Sequence, residues 1–378
     1  MKYFDYAATT PMEPEALQVY IEAATHFYGN TSSLHDTGAK AAQLLQECRN
    51  TLAGLLGVAS EGIYFTSGGT EANHLGILSL ALENRHRGCH IITGMAEHSS
   101  VHSAMGFLKE QGFEITTLPF NSDGMISLED LEKSIRHDTI LVSIAHANGE
   151  IGSIQNLKKI ASTCKNKEIL LHTDMVQSFG KRDVSELAPL VDSLAVSSHK
   201  IYGPKGVGAV YIHPRHTARS IFPNQTHEGG LRGGTVNTPG IAAFISAAES
   251  ACSGFKTANY GELRDLFIEG IKTHLNESVM ILEAPKGKQM PHVIGLCLKG
   301  LQGQWVMLEC NRRGFAISTG SACQTGKQAL SKTVSALGLP EEAGKEFIRI
   351  SMGKDTTKED VTELVKALAD IAETHCEQ

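Results

Sequence analysis

Short apolar runs rich in β-branched residues alternate with longer stretches whose apolar positions recur every three or four residues. The runs Ile63–Thr66, His90–Thr93, Phe113–Leu118, Thr139–Ile144, Ile169–Thr173, Val191–Val196 and Val207–Ile212 predict strands. Between them, Thr70–Leu82, the stretch marked by Val101, Met105 and Leu108, Leu128–Ile135 and Leu157–Cys164 predict helices. Strands that alternate with helices this way form a mostly parallel sheet covered on both faces. Such sheets bind ligands beyond the carboxyl ends of their strands.

The pattern changes after Gly240. An alanine-rich helical stretch gives way to Cys252-Ser253-Gly254, the expected domain boundary. Glu262–His274 and Gln302–Asn311 predict helices, and Val293–Leu298 and Phe347–Ser351 predict strands. A closing helix carries Val361, Leu364, Val365, Leu368 and Ile371 on one side. The segment Glu283–Gln289 reads as a polar surface loop. The expected class is α/β, with a large mostly parallel-sheet domain and a smaller α+β domain. A chain of 378 residues has room for both.

Charge and cysteine content narrow the choice. A formal net charge of -7 argues against a nucleic-acid partner. No apolar run reaches membrane-spanning length and no leader pattern opens the chain, so a cytoplasmic protein is expected. The eight cysteines are scattered and form no C-x-x-C pair, which excludes a zinc cluster and a disulfide framework. Most read as small buried hydrophobes.

The chemistry sits at strand ends. Ser197-Ser198-His199-Lys200 follows the Val191–Val196 run, and its amine can form a Schiff base with a carbonyl cofactor such as pyridoxal phosphate. Asp174 ends another run, as the acidic partner that a pyridinium nitrogen needs; a helix cap is its competing role. Gln177, three positions on, can reach the same site. Ser67-Gly68-Gly69-Thr70 opens a helix and can cradle a phosphate, although it is neither a Walker nor a dinucleotide pattern. Ser197 and His199 flank the lysine and can join that phosphate site. Glu228–Thr235 is a second glycine-rich, anion-friendly turn. His98 can stack on a planar ring and move protons. Arg349 can pair with a carboxylate, or form a structural salt bridge. Cys323 lies in a polar, glycine-containing segment with Lys327 nearby, which favours an exposed thiolate over core filling.

In this order the motifs resemble the cysteine desulfurase family, in its nitrogen-fixation and iron–sulfur-cluster branch, among the fold-type I pyridoxal-phosphate enzymes. The likeness runs through Asp5-Tyr6-Ala7-Ala8-Thr9-Thr10, Gly29-Asn30, Ser67–Glu71, Glu97-His98 and His146–Gly152. It continues through Asp174, Gln177, Ser197–Lys200, Arg232–Thr235 and Ser321-Ala322-Cys323. It implies an N-terminal arm (1–12) joined to a small domain (256–378), and a large cofactor domain (13–255). It also implies that Lys200 holds pyridoxal 5'-phosphate and moves protons at the substrate carbon, that His98 stacks on the ring, and that Asp174 and Gln177 hold its nitrogen and hydroxyl. Gly69, Thr70, Ser197 and His199 would bind phosphate, with Thr235 from the other subunit of a homodimer. Asn30, Asn148 and Arg349 would hold L-cysteine. Cys323 would take the substrate sulfur as a persulfide, release alanine, and serve a sulfur acceptor or iron–sulfur scaffold protein. Two departures stand out: Gly149 replaces the second amide of an Asn-Asn pair, and Thr31 replaces a proline after Asn30. The competing functions are a selenocysteine lyase, a small-amino-acid aminotransferase and a non-enzymatic sulfur carrier.

Overall fold

The computed structural model describes residues 1–255, 259–320 and 331–376. Among them, twelve strands form three sheets. In chain order they are β1 (Lys2–Tyr3), β2 (Ile63–Thr66), β3 (His90–Gly94), β4 (Glu114–Leu118), β5 (Thr139–Ser143) and β6 (Leu170–Asp174). After these come β7 (Ser193–Ser197), β8 (Gly208–Ile212), β9 (Val279–Leu282), β10 (Val293–Leu298), β11 (Phe315–Ala316) and β12 (Phe347–Ser351).

The central sheet has the order β2-β8-β7-β6-β5-β3-β4. Strands β4, β3, β5, β6 and β7 run parallel, while β8 is antiparallel to both β7 and β2. Strand β2 therefore points the same way as β7. The carboxyl ends of β2, β3, β5, β6 and β7 share one edge, as the alternation of elements leads one to expect.

Strands β5 to β8 are buried throughout, because helices cover both faces. Ile92, Val142, Leu171 and Val196 enter one core; their neighbours Ile91, Leu141, Leu170 and Ala195 enter another. That alternation is the two-residue period of a strand expressed as two packed layers. Edge strand β4 is different. It exposes Glu114 and Thr117, polar residues that blunt an open edge.

A separate core gathers Phe4, Phe267, Ile294, Leu296, Ile348, Ile350, Leu364 and Leu368 beneath the antiparallel sheet β12-β10-β9. The chain's first residues belong to it: β1 pairs with β11, and Phe4 is buried there. Phe267 is fully buried in the Tyr260–Leu275 helix. Phe267→Ala is expected to cost about 3–5 kcal/mol, from lost burial and a residual cavity. Urea unfolding checks this by a lowered midpoint.

Several elements escape the hydrophobic pattern. Strands β1 and β11 have two residues each, too few for a period. The Pro14–His26 helix packs on the Thr238–Gly254 helix through Ala16, Ala243 and Ala247, so it lacks a stripe of large apolar side chains. The segment Glu283–Gln289 is a clasp as well as a surface loop. Gln289 Nε2 donates to Ile151 O at 2.7 Å, and its Oε1 accepts from Ala284 N at 2.9 Å. No helix among the described residues is long and apolar enough to cross a membrane.

Candidate cofactor and substrate cleft

The shared strand edge assembles most of the residues singled out by sequence. Strand β2 leads into Ser67–Thr70, β3 into Glu97-His98, β5 into His146–Asn148, β6 ends on Asp174, and β7 leads into Ser197–Lys200.

Lys200 closes a single helical turn, Ser198–Lys200. Its Nζ donates to Ala7 O and Ala8 O, each at 2.7 Å. The segment Asp5–Thr10 straps down this turn: Thr10 N and Oγ1 both donate to His199 O, and Tyr202 N donates to Thr10 Oγ1 at 2.7 Å. Tyr202 has a φ of 66°, a left-handed conformation that this anchoring helps to hold. His199 Nδ1 lies 3.1 Å from Thr9 Oγ1. Burial, followed by the charges of Lys200, Lys181 and Lys205, lowers the His199 pKa to about 4, so its ring is neutral at pH 7.

The candidate phosphate cup is marked by what is crowded and what is left unpaired. A Cβ on Gly69 would fall 2.9 Å from Val176 Cγ2 and 3.4 Å from Ser197 Cβ, so only a glycine lets the two turns approach this closely. The Ser197 hydroxyl beside it is buried without a partner. Gly69 also begins a helix of 15 residues, whose first amides favour an anion. An orphaned hydroxyl at a helix start is a good fit for a phosphate. Ser197→Ala is expected to weaken pyridoxal-phosphate retention by about ten- to a hundredfold, the loss of one hydrogen bond to a charged group. Equilibrium dialysis followed by absorbance reads this directly.

Asp174 Oδ2 accepts from Asn73 Nδ2 at 2.7 Å, and Oδ1 accepts from Val176 N at 2.8 Å. Gln177 Nε2 donates to Ala7 O at 3.0 Å, and its Oε1 accepts from Lys181 Nζ at 3.3 Å. Lys181 carries no local sequence signal. Burial, then the Lys200 and Arg349 charges, lowers its pKa to about 7. His98 caps the Ser99–Glu110 helix, with its Nδ1 accepting from Ser100 N at 3.2 Å. Its ring is exposed, yet desolvation outweighs the pull of Asp174 and holds its pKa below the ordinary histidine value. Glu97 is buried, and the desolvation raises its pKa to about 8, so it keeps its proton through neutral pH.

Arg349 is engaged on three sides. Its Nη2 donates to Asp5 Oδ1 at 2.6 Å, its Nη1 donates to Gly149 O at 3.1 Å, and its backbone pairs with Ser318. The buried Nε has no partner. A Cβ at Gly149 would lie 2.9 Å from Gln177 Nε2, so the missing amide keeps that side chain uncrowded. Asn148 is occupied by the protein: Oδ1 accepts from Glu150 N and Ile151 N, and Nδ2 donates to Thr333 Oγ1 at 3.0 Å.

Other expected residues are not brought in. Asn30 is exposed, and its Oδ1 accepts from Ser32 N; no described contact joins it to Arg349. Thr235 is exposed and makes no described contact with Thr70 or Ser197. The charges of its glycine-rich turn are used structurally. Arg232 Nε pairs with Glu71 at 2.8 Å, and buried Glu228 pairs with Arg49 at 2.9 Å. Cys323 lies outside the described residues. The flanking Gly320 and Ser331 are neighbours beside Glu150, to which Ser331 Oγ donates at 2.6 Å.

A lysine after a sheet strand, a carboxylate at the next strand's end and a phosphate cup between them define the site of a pyridoxal-phosphate enzyme. The class-V aminotransferase family model matches residues 2–364. A putative cysteine desulfurase NifS of Bacillus subtilis is 46% identical over 97% of this chain and 93% of its own length. A solved NifS-like protein superposes with a TM-score of 0.91 at 32% identity, covering 99% of both chains. The structure titled SspA in complex with cysteine gives 0.82 at 31% identity, over 94% of this chain and 100% of the other. The chain belongs to the pyridoxal-phosphate-dependent cysteine desulfurases of the class-V aminotransferase family.

Proposed function

We propose that this enzyme moves the sulfur of L-cysteine onto Cys323, releases L-alanine, and delivers the sulfur to an acceptor protein. Bound pyridoxal phosphate supplies an electron sink for charge developing at the substrate's α-carbon. Lys200 would hold the cofactor covalently and carry protons to and from that carbon. Asp174 would hold the ring nitrogen's proton, with Gln177 and His98 as the further ring-holding residues. Gly69, Thr70, Ser197 and His199 would hold the phosphate. Arg349 offers its unpartnered Nε, with guanidinium charge, to the substrate carboxylate, while Asn148 holds the Glu150 and Ile151 backbone beside it; Asn30 enters this reading only through the family likeness.

The Cys323 thiolate attacks the substrate sulfur. A sulfur–sulfur bond forms as the substrate's carbon–sulfur bond breaks, and the departing electron pair is quenched by a proton to give alanine. Gly320, three positions before Cys323, is the last described residue ahead of it. Gly320 stands beside Glu150. The observation that carries the reading is this convergence of Lys200, Asp174 and the orphaned Ser197 hydroxyl at one strand edge.

The working form in this reading is a cytoplasmic homodimer in which Thr235 completes the neighbouring subunit's phosphate cup, and the acceptor is a scaffold for iron–sulfur assembly or a thiolation protein. The enzyme is tested by feeding L-cysteine to the cofactor-loaded protein and assaying alanine and sulfide. Equal alanine and total transferred sulfur is expected; pyruvate or a keto acid without alanine would overturn it.

A further inference from the structure

A chain of buried polar groups lies beneath the cofactor cleft, and Asn73 is at its centre. Asn73 is 1% exposed on the Gly69–Glu83 helix. Its Nδ2 donates to Asp174 Oδ2 at 2.7 Å and to Ser100 Oγ at 2.9 Å. Its Oδ1 lies 3.0 Å from His172 Nε2, and His172 Nδ1 lies 3.1 Å from Ser193 Oγ. Ser100 Oγ in turn lies 2.8 Å from His98 Nδ1. Every member except His98 is buried.

The directions of these bonds follow from one another. The Asp174 carboxylate only accepts, so the Asn73 amide must turn its NH2 toward it. Oδ1 then needs a donor, which places the His172 proton on Nε2. Burial lowers the His172 pKa to about 3, so the ring is neutral and its Nδ1 accepts from Ser193. Ser100 Oγ, already accepting from Asn73, gives its proton to His98 Nδ1. That leaves His98 with its proton on Nε2. A single amide orientation therefore sets the protonation pattern of both side chains assigned to the ring.

We propose that Asn73 is a positioning residue that couples Asp174 to His98, stabilising the Asp174 carboxylate while locking the His98 tautomer through Ser100. The inference rests on the assignment of Asp174 and His98 to the cofactor, but part of its test needs no cofactor. Asn73 touches Asp174 and His172 on β6 and Ser100; the charged and titratable groups that act on Asp174 or His98 are Glu97, Lys200, Lys332 and His74.

Asn73→Leu keeps approximate size and removes all three hydrogen bonds. It is expected to weaken pyridoxal-phosphate binding about 5- to 100-fold at every pH between 6 and 9, relative to the wild type at the same pH. Asn73→Asp keeps the shape but sets two carboxylates against each other. One must hold a proton to restore the bond, and repulsion raises the pair's upper pKa. This variant is expected to bind the cofactor nearly as the wild type does at the acid end and to lose it as pH rises. A filler role for Asn73 gives no such pH dependence.

In the cofactor-free protein labelled with 15N-histidine, nitrogen shifts are expected to report Nε2–H for both His98 and His172. Asn73→Leu should release His98 into a mixture of tautomers. Wild-type cofactor affinity across pH in both variants, or unaltered histidine tautomers in Asn73→Leu, overturns the coupling. Should Asn73→Leu fail to fold, the pH profile of Asn73→Asp decides alone. Failure of the desulfurase reading is distinguishable: wild-type protein would then make no alanine while the tautomers and the Asn73→Asp profile behave as expected.

Discussion

Lys200→Ala protein is expected to lose alanine formation by at least about 10⁴-fold, because in the proposed reading one substitution removes both the covalent anchor and the proton carrier. The position of the lysine suits the proposed role. It stands at the carboxyl end of a wholly buried strand, and its Nζ points at the carbonyls of Ala7 and Ala8 in the N-terminal strap. Truncating it costs these two bonds but removes nothing from the apolar cores, so the fold is expected to persist. The variant should retain cofactor only noncovalently and release it on dialysis, with the absorbance of the free aldehyde. Wild-type alanine production by this variant would contradict the assignment of Lys200. The contrast with Ser197→Ala is informative, because the proposal gives the hydroxyl a part in binding and the amine the chemistry.

Cys323→Ser has the second large effect, and its pattern is different. Cofactor and substrate binding are expected to be unchanged, since the proposal gives Cys323 no part in holding either. Alanine formation is expected to fall at least about 10³-fold. A serine hydroxyl is not ionised near neutral pH and is a poor nucleophile toward sulfur, whereas a thiolate is suited to it. Substrate-dependent spectral change without turnover is the expected signature. Undiminished turnover would mean that another group receives the sulfur. Four of the other cysteines make poor candidates for that role. Burial raises the pKa of Cys48, Cys164, Cys297 and Cys310 to about 12 in each case, keeping them as thiols.

The strand ends were legible because each combines a local apolar period with one chemically distinctive residue. Lys200, Asp174 and the Ser67–Thr70 turn all lie where a parallel sheet exposes its ligand edge, and the seven central strands fall within a residue or two of the apolar runs. What binds those ends together was not legible. Asn73 reads as one polar residue in an otherwise apolar helix, and its partners Asp174 and His172 are about a hundred positions away. Lys181 resembles any loop lysine until burial beside Lys200 is seen. Glu228 likewise reads in sequence only as part of a glycine-rich, anion-friendly turn. Its side chain instead accepts from Phe65 N at 2.7 Å and pairs with Arg49, contacts that join distant segments and leave no periodic trace. The strap at Asp5–Thr10 was recognisable only as a motif; the hydrogen bonds to His199, Tyr202 and Lys200 supply its physical reason.

The central claim is that sulfur leaves L-cysteine onto one protein thiol. Wild-type protein saturated with pyridoxal phosphate, given a short pulse of L-cysteine and quenched, is best measured by intact mass followed by peptide mapping without reductant. The expected result is the mass of one additional sulfur on the peptide containing Cys323, formed with an equal amount of alanine. Alanine produced while that peptide never gains sulfur would contradict the account.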